Sequence, residues 1–159
     1  MTKERYFNFS AIFLLTFLMC FDVYGARQIE EQNYFASIRA SKANIRSGPG
    51  QHYPIKFTFN ARNIPVHVVA EYDNWNEIKD YQGSTGWVNK SLLTKRRSLM
   101  VITSSDQINM HNKPDDKSRT ILYLKNFVIG DYLECQKGWC KMKINGKKGW
   151  VRTNHIFGN

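Results

Sequence analysis

Hydrophobic and polar positions alternate with period 2 in short bursts, and turn signals interrupt them every 6–12 residues. Over 64–70, Ile64, Val66, Val68 and Ala70 share one face, and Pro65, His67 and Val69 the other. Over 75–80, Trp75, Glu77 and Lys79 point one way, and Asn76, Ile78 and Asp80 the other. A strand-like stretch from Ala36 runs to Arg46, and 55–59 is a short apolar strand. A closing strand starts at Trp87-Val88 and reaches Leu92-Leu93 through a single helical turn. Ser47-Gly48-Pro49-Gly50 is a turn in which Pro fixes φ and Gly accepts φ > 0. Residues 71–74 form a hairpin loop, and 83–86 turn again. Five short strands with such spacing predict an all-β fold, a small antiparallel barrel.

The pattern then repeats. Gly83-Ser84-Thr85-Gly86-Trp87-Val88 returns as Gly146-Lys147-Lys148-Gly149-Trp150-Val151, each preceded by another tryptophan, Trp75 or Trp139. The strands at 99–102, 121–124, 127–134, 139–144 and 150–157 match their counterparts in order. Only the first loop differs, with Lys113 and Asp115 in place of Gly48 and Gly50. The expected organisation is a signal peptide over 1–25, a polar leader over 26–35, a first barrel over 36–93, a basic connector over 94–98 and a second barrel over 99–159. Each barrel alone is small enough to gain from a staple or from its neighbour.

Phase assigns the tryptophans. The core face is that of Ile78 in the first copy and of Met142 and Ile144 in the second, which sends Trp75 and Trp139 to the outward, charged face. An outward indole is either a platform for a ligand or a ring covered by a loop or by the other module. Trp87 and Trp150 are also candidate ligand contacts, although their place between Gly and Val on a closing strand favours an architectural role. The same phase lets Cys135 and Cys140 face each other across a hairpin, where a disulfide would contribute about 2 kcal/mol. The first copy carries Glu71 and Asn76 at those places.

The amino terminus frames this chemistry. Lys3 and Arg5 precede an apolar run over 9–21, and Val23-Tyr24-Gly25 follows, the layout of a secretory signal cleaved after Gly25. The run is short for a membrane span, an uncleaved anchor being the alternative. Met19 before Cys20 is too bulky for the usual lipobox. Export places the chain in the periplasm or outside the cell, where a disulfide persists. With no second Cys pair and no His close in sequence, no metal site is predicted. The mature chain carries 21 basic and 11 acidic residues, with most of the excess after residue 94. Outside the cytosol this charge suits cell wall, lipid headgroups or other envelope polymers rather than nucleic acid, or simply a soluble surface.

No catalytic constellation emerges. His52, His67, His111 and His155 are scattered, the cysteines are better used as a disulfide, and Asp73 and Glu77 lie on a hairpin loop and an exposed strand face, a poor setting for an acid–base pair. The chain is expected to be a non-enzyme without cofactors.

Asn44-x-Arg46-x-Gly48-Pro49-Gly50, then Tyr53, Trp75 and Gly86-Trp87-Val88, resembles the bacterial Src-homology-3 (SH3b) domain, and the doublet resembles exported tandem proteins of that kind. The resemblance covers 36–157. It implies two tandem, partly open, five-stranded SH3-like barrels, no enzymatic activity and an envelope location. Its members serve as targeting modules for cell-wall peptide or glycan, or as adaptors between proteins. The expected groove lies between the 47–53 loop and the 71–75 hairpin, walled by Tyr53 and Trp75, with Arg46 receiving carboxylates of peptidoglycan stem peptides. The alternative occupant is an extended peptide of an envelope partner protein, and a third possibility is two barrels packed together as a scaffold.

Overall fold

A computed structural model describes residues 28–159. The signal peptide expected over 1–25 and Cys20 lie outside the described residues. The first half contains β1 (Glu30–Ile38), β2 (Ala43–Arg46), β3 (Ile55–Phe59), β4 (Pro65–Tyr72), β5 (Trp75–Lys79), β6 (Thr85–Asn89), a 3-10 turn (Lys90–Leu92) and β7 (Leu93–Thr94). The second repeats it with β8 (Ser98–Val101), β9 (Ile108–His111), β10 (Thr120–Leu124), β11 (Ile129–Gln136), β12 (Trp139–Ile144), β13 (Lys147–Arg152), a 3-10 turn (Thr153–His155) and β14 (Ile156–Phe157). The strand orders are β3-β2-β6-β5-β4-β1-β7 and β10-β9-β13-β12-β11-β8-β14, the same topology twice. The protein is all-β, as the alternation predicts.

Each sheet has seven strands where the periodicity predicts five. The 36–46 stretch divides into β1 and β2, and the closing strand divides into β6 and β7 at the anticipated helical turn. The leader expected over 26–35 differs more. From Glu30 it is strand, paired with β4 from Glu30↔Glu71 to Ser37↔Pro65. Its polar residues hide this, because the partner strand rather than local pattern recruits it. The connector is likewise shorter than expected, since Thr94 pairs with Ser37 and Ser98 already belongs to β8.

Phase is realised in both cores. Ile38, Ile45, Val66, Val68, Ile78 and Val88 fill the first, and Leu99, Val101, Met110, Met142 and Val151 fill the second, each 0–1% exposed. Such a side chain contributes roughly 1.5–3 kcal/mol on burial. A bulge between Val68 and Ala70 on β4 recurs between Tyr132 and Glu134 on β11, curling both hairpins toward closure. It also leaves Leu133 39% exposed.

The repeated Gly-Trp-Val phrase has a steric origin. A Cβ on Gly86 would lie 2.9 Å from the Arg46 carbonyl oxygen, and one on Gly149 would lie 2.8 Å from that of His111. Only glycine lets β6 and β13 approach β2 and β9 so closely. The Gly48-Pro49-Gly50 loop uses glycine differently from the turn expected of it. Neither Gly48 nor Gly50 has positive φ. Gly48 instead makes room for the Tyr53 ring, 2.6 Å from where its Cβ would be.

The halves meet at a small joint. Ser98 Oγ donates to the Asn63 carbonyl at 2.5 Å, which leaves the Ser37 hydroxyl to donate to Ser98 Oγ at 2.7 Å. Phe35 meets Phe157 edge-on at 5.3 Å. Arg97 lies 4.0 Å over the Tyr132 ring and donates to the Gly158 carbonyl at 2.7 Å.

Candidate functional site

Two clefts occupy equivalent places in the two halves. The first, about 320 Å³, is lined by Lys42, Asn44, Arg46, Gln51, Trp75, Asn89 and Leu92. The second, about 250 Å³, is lined by Gln107, Asn109, His111, Asp116, Trp139, Arg152 and His155, together with Ile108. Apart from Ile108, the lining residues correspond one to one. β2 and β9 supply Asn44 and Asn109, β5 and β12 begin with the tryptophan, and the end of β6 or β13 supplies Asn89 or Arg152. Every lining residue of a cleft comes from its own half, so neither half fills the other's cleft.

The floor is built alike. Arg46 Nη1 donates to the Tyr53 carbonyl at 2.8 Å, and His111 Nδ1 donates to the equivalent Ser118 carbonyl at 3.0 Å. Each side chain ties the return of the first loop to its sheet. Each also stands opposite the repeated tryptophan, in the pairs Arg46↔Trp87 and Trp150↔His111.

The cover is built differently. Asn89 Oδ1 accepts from the Ser91 N–H at 3.0 Å and from its hydroxyl at 2.7 Å, capping the 3-10 turn. Committed there, Asn89 leaves Trp75 half-buried at the cleft wall. Arg152 makes no such cap. Its guanidinium lies 4.3 Å over the Trp139 ring, Nε donates to Asp116 Oδ1 at 3.2 Å, and Nη2 donates to Asp116 Oδ2. His111 meets Trp139 edge-on at 5.7 Å, and the indole is 4% exposed. The hydrogen bond from Arg152 holds the Asp116 carboxyl below the usual carboxylate range, and Asp116 raises Arg152 in return.

The six candidate residues therefore separate. Trp75 and Arg46 come together in the first cleft. Tyr53 is not among its lining residues: the ring lies on Gly48 and 4.3 Å from the His52 ring. Trp139 starts on the outward face as phase requires, yet it is buried, because Arg152 and His111 cover it. Trp87 and Trp150 are each 6% exposed and line neither cleft. Sequence reasoning missed Lys42, Gln51, Asn89, Asp116 and Arg152. The available signal was position, since Asn89 and Arg152 each fall two residues after the repeated tryptophan.

A second pair of equivalent positions lies on the β4–β5 and β11–β12 hairpins. Cys135 and Cys140 are cross-strand partners joined by a disulfide, with Cα atoms 4.0 Å apart. Glu71 and Asn76 are the matching pair in the first half. Glu71 accepts from Lys90 Nζ at 2.7 Å and from the Tyr34 hydroxyl at 2.8 Å, while Asn76 Nδ2 donates to Tyr34 Oη at 3.1 Å. The Lys90 hydrogen bond pulls the Glu71 carboxyl below its usual value. Burial first, then the bond to Glu71, pushes the Tyr34 phenol up to about 12. Among the described residues no three His, Cys, Asp or Glu groups gather as a metal site, and no helix is long and apolar enough to cross a membrane.

Two copies of one barrel, each with its own cleft, define a tandem of small SH3-like β modules. The bacterial SH3 domain model matches residues 39–95 and 104–158, and the chain belongs to that family. It is 28% identical over 129 residues to a Bacillus subtilis (strain 168) protein named "Putative N-acetylmuramoyl-L-alanine amidase YrvJ", a match that covers 71% of this chain and 24% of the relative. The chain thus spans about a quarter of that relative's length. Among solved structures, NlpC1 from Trichomonas vaginalis is similar at 10% identity and a TM-score of 0.38, over 81% of this chain and 47% of that one. An NlpC/P60 family protein from Bacillus cereus ATCC 10987 is similar at 14% identity and a TM-score of 0.35, over 77% and 55%.

Proposed function

We propose that the chain is an exported, non-catalytic binding protein of the bacterial envelope that recognises peptidoglycan or its stem peptides through the first cleft. The observation that carries this reading is the open wall of that cleft, a half-buried Trp75 with Lys42 and Arg46 beside it. An indole face binds a sugar ring or an apolar side chain, and the two cations suit carboxylates. Membership of the bacterial SH3 family and the likeness to a relative named as an amidase of N-acetylmuramoyl-L-alanine support a wall polymer as the ligand source. The non-catalytic reading rests on the scattered histidines, on the disulfide, and on lining groups engaged in structural bonds. Secretion and a periplasmic or extracellular location follow from the amino-terminal pattern and agree with such a ligand.

The test is a pull-down on purified sacculi at ~150 mM salt, where exposed charge is already screened. The protein sediments with the sacculi, and Trp75→Ala releases it. Wild-type protein left in the supernatant overturns the wall reading.

One observation favours a second reading, an adaptor for an extended peptide. β3 is the outermost strand of its sheet, and Ile55 on it is 49% exposed next to Tyr53. A partner strand adds to such an edge. On this reading Ile55→Lys abolishes capture of an envelope protein and Trp75→Ala does not.

A further inference from the structure

The second cleft differs from the first by a pair of charges that the fold does not require, since Gln51 and Asn89 occupy the same places in the first. The Arg152 guanidinium lies over the Trp139 ring, 4.3 Å from its centroid, so the indole limits the directions its fork can take before anything binds. That fork grips both carboxylate oxygens of Asp116, the bidentate geometry by which guanidinium recognises a carboxylate. The two side chains are nevertheless 45% and 61% exposed. An ion pair so exposed stabilises little, and exchanging one carboxylate for another costs correspondingly little. Around it, Gln107, Asn109 and His155 line the cleft with amide and imidazole groups that match a peptide backbone. Its volume of about 250 Å³ is below the roughly 300–1,000 Å³ of sites that engulf drug-sized ligands, and suits a chain end rather than a run of polymer.

We infer that the second cleft is a carboxylate site for the free C-terminal end of a short peptide, and that Asp116 occupies the ligand's place on Arg152 until it is displaced. This rests on the proposed binding function and names the ligand class of the second module. The ligand carboxylate takes the Arg152 fork, and Asp116 swings to solvent on its exposed loop. The two modules would then read different features, an open indole wall in one and a charged chain end in the other.

The probes are N-acetyl-alanyl-alanine and its C-terminal amide, titrated into the ¹⁵N-labelled chain over 26–159. Arg152 Nε–H and Trp139 indole N–H resonances give the readout. The acid moves both and the amide moves neither. Asp116→Asn tightens the acid about two- to fivefold, the range expected from opening an exposed ion pair. Arg152→Lys keeps the charge, loses the fork and weakens the acid. Thermal melts confirm that both variants fold. Equal response to acid and amide, or unchanged affinity in Asp116→Asn, overturns the inference. A chain that binds the acid but not sacculi loses the wall reading and keeps this one; a chain that binds sacculi but ignores the acid does the reverse.

Discussion

The two modules share topology, bulge position and the glycine that seats the Gly-Trp-Val phrase, yet they are fastened and opened by different chemistry. At the hairpin, the second uses a covalent bond between Cys135 and Cys140, and the first uses Lys90, Glu71, Tyr34 and Asn76. At the cleft, the first leaves Trp75 half-open, and the second closes Trp139 beneath Arg152 and Asp116. The difference teaches that the same barrel accepts different chemistry at these two places, even where one partner, Cys140, belongs to the core of its module. Redox state is expected to act on the second module, and pH mainly on the first.

The common framework is the first thing to break. Gly86→Ala and Gly149→Ala each force a methyl against backbone carbonyl and core side chains. Each is expected to cost about 1–3 kcal/mol, equally in the two modules, as read by chemical denaturation. A large cost in one module alone would mean that the two are not built alike.

Reduction of the disulfide comes next. It lowers the stability of the second module by about 2 kcal/mol and leaves the first nearly unchanged. Denaturation with and without reductant, followed by fluorescence in Trp75→Phe and Trp139→Phe variants, separates the two. Equal loss in both reporters would show that the joint couples the modules more strongly than the staple distinguishes them.

The pH response should fall mainly on the first module, with the lowered Asp116 carboxyl giving the second a small acid limb of its own. Glu71 has a lowered folded pKa, so its contribution is complete above the unfolded value and is lost as pH falls through the folded value. Tyr34 has a raised one, so its contribution is complete below pH 10.0 and is lost as pH rises toward about 12. His67, lowered first by burial and then by Lys79, loses its part as pH falls below 6.5. All three lie in the first module, whose melting temperature falls at both ends of the range. Glu71→Gln flattens the acid limb by about 0.5–1 kcal/mol, a size limited by solvent screening at a partly exposed pair.

Much of the framework was legible in the chain. The repeat follows from the recurring Gly-x-x-Gly-Trp-Val phrase, and the strand phase and the opposition of Cys135 and Cys140 follow from period 2, which depends only on neighbours along the strand or across a hairpin. What was hidden depends on partners far away. β1 is polar and becomes a strand because β4 lies beside it. Leu133 turns outward because a bulge intervenes. Gly48 is small because a tyrosine five residues later lies on it. Trp139 faces out by phase and is buried by an arginine from another strand. Period 2 assigns a face, but it does not say what will cover that face.

The two modules differ most sharply in the tryptophan of the cleft, half-open at Trp75 and covered at Trp139. The direct measurement is titration of a soluble stem-peptide muropeptide into ¹⁵N-labelled protein, with the indole N–H resonances assigned through Trp75→Phe and Trp139→Phe. Trp75 should respond at the lower concentration, and Trp139 should follow only at higher concentration or after Asp116→Asn. A wild-type chain in which Trp139 responds first, or in which neither indole responds, would contradict it.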